Sequence, residues 1–310
     1  MNIQQFQYIL AVVDMKNFEE AAETCHVTQS TLSTMIGKFE KEIGIKVFNR
    51  KTKPVSITSE GKEIIKHLRV LVNDIDALDN VIQELKGEMK GELKIGIIPT
   101  ITPYLLPLFL SEFVSHFPKI KTIIKEMTTA EIRKALKNRT IDIGVLALPL
   151  NDNEILEKSL YSEPFLVYDC TGNKTASKIA VTELDYSKLL LLQEGHCLRT
   201  QAMRICELSN ELSKNINFEF ESGSMESLVR ITKKSKGITI LPYLSSLDLE
   251  EKESDKLLWF KDPVPVREIG IVTHHYFVKK TLLDKLQEII KASVKELMPE
   301  VHTHKVVDPL

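Results

Sequence analysis

Phe18-Glu19-Glu20-Ala21-Ala22-Glu23-Thr24-Cys25-His26-Val27-Thr28-Gln29-Ser30-Thr31-Leu32-Ser33 decides the fold of the N-terminal part of this chain. Asn17 stands before it as a capping residue, with Glu20 three positions on, and Phe18, Ala21, Ala22 and Cys25 give a short helix its inner face. Within a few residues Thr28 is a second cap, opening a helix whose inner positions are Leu32, Ile36, Phe39 and Ile43. Two short helices joined so tightly form a helix-turn-helix. The second helix leaves Gln29, Ser30, Thr31, Ser33 and Thr34 outside its core face. These are small hydrogen-bonding groups of the kind that a recognition helix offers to base edges, although an ordinary hydrophilic helix face has the same composition.

On the N-terminal side, Ile3, Phe6, Leu10 and Val13 recur at helical spacing and predict a helix from Ile3 to about Met15. On the C-terminal side, Val47-Phe48-Asn49-Arg50-Lys51-Thr52-Lys53-Pro54-Val55-Ser56-Ile57 reads as two short strands around a cationic, proline-stiffened turn. Such a wing places Arg50, Lys51 and Lys53 against phosphate or the minor groove. Bulk charge does not make this case, since the net charge is -2 and residues 1 to 60 carry seven Lys/Arg and seven Asp/Glu. The case rests on where the cations lie. Residues 1–58 are therefore expected to form a winged helix-turn-helix that binds double-stranded DNA.

A long helix is predicted from Ser59 to about Lys86, with Ile64, Leu68, Leu71, Ile75, Leu78, Ile82 and Leu85 alternating spacings of four and three. A heptad seam of that length predicts pairing with a second copy, so 59–87 is a linker and dimerisation helix. Gly87 and Gly91 bracket a hinge. Beyond it, short apolar strands are expected at Leu93–Ile98, Thr122–Glu126, Ile141–Ala147, Phe165–Tyr168, Lys188–Leu192, Phe218–Glu221 and Ile238–Leu241, with helices near Leu105–Phe117 and Leu282–Leu297. The alternation predicts a mostly parallel α/β sheet, and some 200 residues of it divide more readily into two lobes than one. The lobes are placed at about 91–163 with 268–300, and at about 164–267. With 43% apolar residues, no run of membrane-spanning length and no signal-peptide pattern at the start, the chain is expected in the cytoplasm and off the membrane.

Cysteines in that reducing compartment are more often redox-active or metal-binding than structural. Two of the four lie close together, in Gln193-Glu194-Gly195-His196-Cys197-Leu198-Arg199 and nine positions on at Cys206. His196, Arg199 and a helix N-terminus would each favour a Cys197 thiolate, the form that attacks peroxides and disulfides. Leu198, Ala202, Ile205 and Leu212 mark one face of a helix, which puts Cys206 near its buried side. Nine helical residues separate the two Cα atoms by roughly 13 Å, whereas a disulfide spans about 4.4 to 6.8 Å. Bridging the pair therefore requires the helix to unwind or bend. His196 is read as an orienting group. The wide cysteine spacing and the loose setting of His302 and His304 argue against zinc, and no cofactor is implied. Cys25 is read as a small core residue, and Cys170 likewise.

Phe18-x-x-Ala21-Ala22-x-x-Cys25-His26-Val27-Thr28-Gln29-Ser30-Thr31-Leu32-Ser33 and the wing resemble the heads of LysR-type transcriptional regulators. Gly96-Ile97-Ile98-Pro99-Thr100, Gly195-His196-Cys197-Leu198-Arg199-x-Gln201-Ala202-Met203 with Cys206, and Gly237-Ile238-Thr239-Ile240-Leu241-Pro242 resemble, more narrowly, the OxyR-type branch that senses hydrogen peroxide. The chain departs from that branch at Ser30, commonly proline, and at Gly37, commonly basic. The resemblance implies a regulatory domain of two lobes like a periplasmic binding protein, spanning 91–310, and a tetramer built as a dimer of dimers. It also implies control of antioxidant genes together with RNA polymerase, and resetting by a cellular thiol reductant. It assigns Cys197 as the sensing and Cys206 as the resolving cysteine, with Thr100 and Thr129 holding peroxide and Arg267 near the thiolate. A LysR-type regulator answering to an organic co-inducer is the alternative. A thiol peroxidase stands further off, because an enzyme has no use for the helix-turn-helix or the heptad seam.

Overall fold

The computed structural model describes residues 1–85, 89–172, 177–207 and 223–310. The chain divides into two compact units, one built from Met1–Glu88 with Asn138–Thr140 and the other from Met89–Lys137 with Ile141–Leu310.

In the first unit, α1 (Ile3–Met15), α2 (Phe18–Thr24) and α3 (Gln29–Ile43) pack around one core, followed by the wing strands β1 (Phe48–Asn49) and β2 (Ser56–Ile57) and the long α4 (Ser59–Leu85). The caps act locally. Asn2 accepts from the Gln5 amide while the Gln5 side chain accepts from Asn2, Asn17 accepts from the Glu19 amide, and Thr28 accepts from the Thr31 amide. Glu20 serves α2 through its side chain, which accepts from the Asn17 carboxamide. The inner face of α1 differs from the sequence expectation: Gln5, Tyr8, Ile9 and Val12 are buried, Phe6, Leu10 and Val13 flank them, and Ile3 is exposed. The apolar set Ile3, Phe6, Leu10 and Val13 lies to one side of the true inner face, because a buried Gln5, whose amide donates to the Met35 carbonyl, carries no apolar signal of a core residue.

The wing pairs antiparallel, with Phe48 opposite Ile57. Its entry is tight, and a Cβ added at Gly61 would stand 2.4 Å from the Val47 carbonyl oxygen. Ile65 and Leu68 of α4 complete the head core, with Ile64 packed against it, while Leu71, Leu78 and Ile82 are exposed and Ile75 is half-buried. The seam expected from the sequence is therefore divided. Ile64 and Leu68 serve their own head, and the stripe left open begins at Leu71. The side chain of Leu85 lies outside the described residues.

The second unit contains β3 (Gly91–Ile97), α5 (Thr102–His116), β4 (Ile120–Glu126), α6 (Thr129–Lys137), β5 (Ile143–Leu148), β6 (Ile155–Asp169), β7 (Lys178–Ile179), α7 (Cys197–Glu207), α8 (Met225–Ser235), β8 (Ile238–Pro242), α9 (Tyr243–Ser246), β9 (Leu257–Phe260), β10 (Val264–His274), α10 (Lys280–Lys295) and β11 (His304–Val306). The strands run in the order β4-β3-β5-β10-β6-β9-β7, with β11 beside β10 and β8 beside β6. The sheet is mixed rather than mostly parallel. The pairs β3–β4, β3–β5, β7–β9 and β10–β11 are parallel, whereas β6 and β10 run antiparallel to each other, β10 to β5, and β6 to β8 and β9.

Those two long strands join two hydrophobic cores. Leu93 to Tyr161 and Ile269 to Val294 supply most of one core, and Phe165 to Phe260 most of the other. Only Phe165–Tyr168 of β6 reads as strand in the sequence, because Glu157, Lys158, Ser162, Glu163 and Pro164 interrupt the apolar pattern, and β10 is obscured by Pro265 and Arg267. Lys188–Leu192 is not a strand. A 3-10 turn at Tyr186–Lys188 leads into an irregular apolar segment that makes only isolated bridges, at Leu189 to Ile238 and at Leu192. The expected strand Phe218–Glu221, the helix position Leu212 and the hinge residue Gly87 lie outside the described residues. Among the described residues, no helix is long and apolar enough to cross a membrane.

Candidate functional site

Gly195 turns the chain into α7 in the left-handed region, at φ 92°, where glycine carries no steric cost. Cys197 is then the first residue of that helix. It is 5% exposed and belongs to the first core, while Cys206, fully buried near the other end of α7, belongs to the second with Leu198, Ala202 and Ile205. One unbroken helix thus carries a cysteine into each core. None of the four cysteines is in a disulfide. Since α7 is helical from Cys197 to Glu207, the separation of roughly 13 Å between the two Cα atoms stands.

Around the Cys197 sulfur the structure gathers Thr100 from the loop after β3, Thr129 from the start of α6, and Arg267 from β10. All three are buried. The buried Thr129 hydroxyl lines the same small space as Cys197 and has no hydrogen-bond partner. The Thr100 hydroxyl accepts from Arg267 Nη1 at 3.2 Å. Arg267 Nε donates to Glu163 Oε2 at 2.8 Å, and Glu163 Oε1 accepts from the Leu244 amide at 2.6 Å. Burial pushes the Cys197 thiol up, opposed by the Arg267 charge, the Thr129 and Thr100 hydroxyls and the Leu198 amide. The lowered thiol expected from the sequence is thus corrected, since desolvation outweighs the helix N-terminus.

Arg199 is placed differently from its sequence reading. Its guanidinium donates to the Leu192 carbonyl at 2.9 Å, and the cation acting on the thiol is Arg267. His196 is buried beside the sulfur, its Nδ1 without a partner, and burial pushes its pKa down despite the Glu126 charge. A neutral imidazole with an orienting role fits that setting. Ile98, Pro99, Thr128, Thr129 and His196 close over Cys197 and leave no room for a water molecule beside it. A small oxidant must displace these side chains to reach the sulfur. A wider cleft of about 510 Å³ opens nearby, walled by Tyr104, Met225 and Val229 among apolar groups and by Glu126, Asp248 and Glu253 among carboxylates. Among the described residues, no group of three or more His, Cys, Asp or Glu could hold a metal.

The last residues are not a loose tail. β11 pairs with β10, Val307 enters the second core, the Gln201 carboxamide of α7 donates to the Val307 carbonyl at 2.9 Å, and Arg204 pairs with Asp308 at 3.3 Å. The chain end is thus fastened onto the cysteine-bearing helix. Cys170 is half-buried behind the second core and Cys25 behind the head core, as their composition suggests.

In the head, Gln29, Ser30, Thr31 and Thr34 stand exposed on one side of α3, and Lys51 and Lys53 are exposed on the wing. Four of the expected contacts are engaged internally, the Ser30 and Thr31 hydroxyls with the Thr28 hydroxyl at 3.0 and 2.8 Å and Ser33 with Arg50. Arg50 donates to Ser33 Oγ at 2.8 Å, lies 4.9 Å over the Phe18 ring and pairs with Glu40 at 3.4 Å. Glu40, which carries no signal in the sequence, is fully buried and accepts from the Val47 and Phe48 amides. One carboxylate thereby fixes the wing to the recognition helix.

A family model for the bacterial regulatory helix-turn-helix protein, lysR family, matches residues 3–62, and one for the LysR substrate binding domain matches 86–293. The chain is 31% identical over 294 residues to the DNA-binding transcriptional dual regulator OxyR of Escherichia coli K12, covering 94% of this chain and 95% of that protein. It is also 31% identical over 274 residues to a hydrogen peroxide-inducible genes activator of Pectobacterium carotovorum subsp. carotovorum, covering 88% and 90%. Among solved structures, a full-length OxyR variant from Pseudomonas aeruginosa superposes with a TM-score of 0.77 at 28% identity, covering 94% of this chain and 98% of that one.

Proposed function

Because the chain belongs to the LysR family of bacterial regulatory proteins, we propose that it is a cytoplasmic DNA-binding regulator of antioxidant genes that senses hydrogen peroxide through Cys197. The observation that carries this reading is one helix with a cysteine buried in each of two cores. In the proposed reaction the Cys197 thiolate attacks one peroxide oxygen, the O–O bond breaks and hydroxide leaves, taking up a proton to become water. Arg267 and the hydroxyls of Thr100 and Thr129 are suited to steady the thiolate and the charge on the departing oxygen. The sulfenic acid is then attacked by Cys206, releasing a second water and forming the disulfide. Two thiols and one peroxide thus yield one disulfide and two waters, and a cellular thiol reductant reverses the change.

The signal lies in the geometry. A bridge limited to about 4.4–6.8 Å between Cα atoms cannot form across an intact α7, so oxidation is coupled to unwinding of that helix. Paired heads, brought together through α4 and read by RNA polymerase, would then meet DNA differently in the two redox states. Brief peroxide treatment followed by alkylation and mass spectrometry is expected to reveal a Cys197–Cys206 bridge. Cys197→Ser abolishes it and Cys206→Ser leaves a sulfenic acid, while an unbridged pair in protein whose DNA binding has changed would refute the reading. The 510 Å³ cleft favours a second reading, in which an organic co-inducer is the signal. Thermal stabilisation by a metabolite, with DNA binding indifferent to peroxide, distinguishes it.

A further inference from the structure

Arg267 and Glu163 stand directly opposite each other in the antiparallel ladder of β10 and β6, where these strands cross from one core to the other. Both are buried, and the ion pair closes at 2.7 Å. Arg267 is the charged group that favours ionisation of Cys197, but its Nε and Nη2 face Glu163 while Nη1 and Nη2 reach Thr100. Among the described residues, Arg267 is the cation that acts on the sulfur. Tyr161 of β6 and Tyr104 of α5 lie within the field of the pair, Tyr161 with a hydroxyl that has no partner. His196 is beside Cys197, Glu126 of β4 acts on His196, and Thr129 is a neutral hydroxyl.

We propose that Glu163 is a positioning residue for the sensing thiol: by holding Arg267 in the buried pair, it restrains the pull of the guanidinium on the Cys197 sulfur and keeps the resting cysteine protonated. The reasoning is electrostatic. A guanidinium does not lose its proton in a protein, so it stays charged when its partner is removed, and a buried cation without a counter-ion strongly favours an anion beside it. Among the described residues, the nearby group that could become that anion by losing a proton at moderate pH is Cys197, since burial holds the Tyr161 and Tyr104 phenols well above their ordinary range, Tyr104 at about 12. Glu163 also accepts from the Leu244 amide at the start of α9, which fixes the carboxylate and hence the direction in which Arg267 points. A shift between the cores at this crossing would change the reactivity of the sulfur without moving any residue that touches peroxide.

This proposal rests on Cys197 being the reacting thiol, but it can be tested without peroxide. Iodoacetamide alkylates a thiolate by displacement of iodide, with the thiol proton lost to solvent, and the fraction modified at Cys197 is read peptide by peptide across pH in the full chain. Glu163→Gln is expected to move the midpoint down by at least one pH unit, about a tenfold gain in rate near neutrality. Glu163→Asp, which keeps the charge and withdraws it by one methylene, moves it less in the same direction and serves if the amide variant fails to fold. Adding Arg267→Met to Glu163→Gln is expected to cancel the shift, an outcome that loosened packing alone would not give. A midpoint unmoved in a folded Glu163 variant, or a shift that persists without Arg267, overturns the proposal. If the midpoint moves as expected but peroxide leaves Cys197 untouched, the sensing reading fails and the role of Glu163 stands.

Discussion

Cys197 is a thiol kept from water among groups that favour its ionised form, and the sign of its pH dependence follows from which influence is larger. Burial raises its pKa in the folded chain above the unfolded value. The stability gained from burying the neutral thiol is therefore complete below the ordinary thiol pKa and is lost as pH rises through the folded value. Reduced wild-type protein is expected to lose melting temperature in that alkaline window more steeply than Cys197→Ser, and parallel melting curves from pH 7 to 10 check this. In the wing, Lys51 and Lys53 are exposed while Arg50 is held by Phe18, Ser33 and Glu40. Lys51→Ala and Lys53→Ala are each expected to lower the slope of log K against log salt by about 0.9 if each lysine neutralises one phosphate. Arg50→Ala should act mainly on the stability of the head, and binding titrations at several salt concentrations beside thermal melts separate the two effects.

At the scale of elements, α7 is held by its own turns, by the second core and by the chain end clasped through Gln201 and Arg204. Oxidation has to undo that hold. Gln201→Leu keeps the volume but leaves the buried Val307 carbonyl without its donor, a loss of roughly 1–3 kcal/mol, and it is expected to speed bridging of Cys197 to Cys206 in quenched-alkylation time courses. An unchanged rate in the folded variant would mean that the clasp does not restrain the helix. Glu40→Gln removes a buried carboxylate shared by two wing amides and two cations, and should cost the head roughly 1–3 kcal/mol by denaturant titration. Neither clasp was legible in the sequence, and the reason is common to both. The caps at Asn17 and Thr28, the apolar spacing of α3 and α10 and the cysteine pair are local patterns, visible within a dozen residues. Glu163, Arg267 and Gln201 act through partners brought close only by the fold, the last across 106 positions to Val307, and Glu40, whose partners stand six to ten positions on, meets them only once the wing folds back on α3. The long strands β6 and β10 are hidden for a related reason, because Glu163 and Arg267, which break their apolar patterns, meet across the ladder, while Lys158 pairs with Asp284 of α10 and Glu157 accepts from the Leu150 amide.

For the whole molecule, the proposed pairing of two heads turns on the exposed face of α4. Along α4, Leu71 is 47% exposed, Leu78 58% and Ile82 40%, at spacings of seven and four, after Ile65 and Leu68 have been spent on the head core. An apolar stripe at heptad spacing on a helix otherwise rich in charge is unfavourable in water and is relieved by a second copy of the same helix. The apolar stripe left open for pairing is therefore shorter than the sequence alone suggests, and Leu78 lies at its middle. Placing a carboxylate there sets two like charges against each other in any symmetric pairing, because a two-fold interface repeats each residue. Leu78→Glu is expected to shift the chain to a monomer in sedimentation at micromolar concentration while leaving the melting of the head within about 0.5 kcal/mol of wild type, as for a surface substitution. Its DNA affinity should fall about 10²–10⁴-fold, the loss anticipated when two linked heads become independent. A variant that stays dimeric, or one that becomes monomeric with undiminished affinity, would place the pairing of the heads elsewhere in the chain.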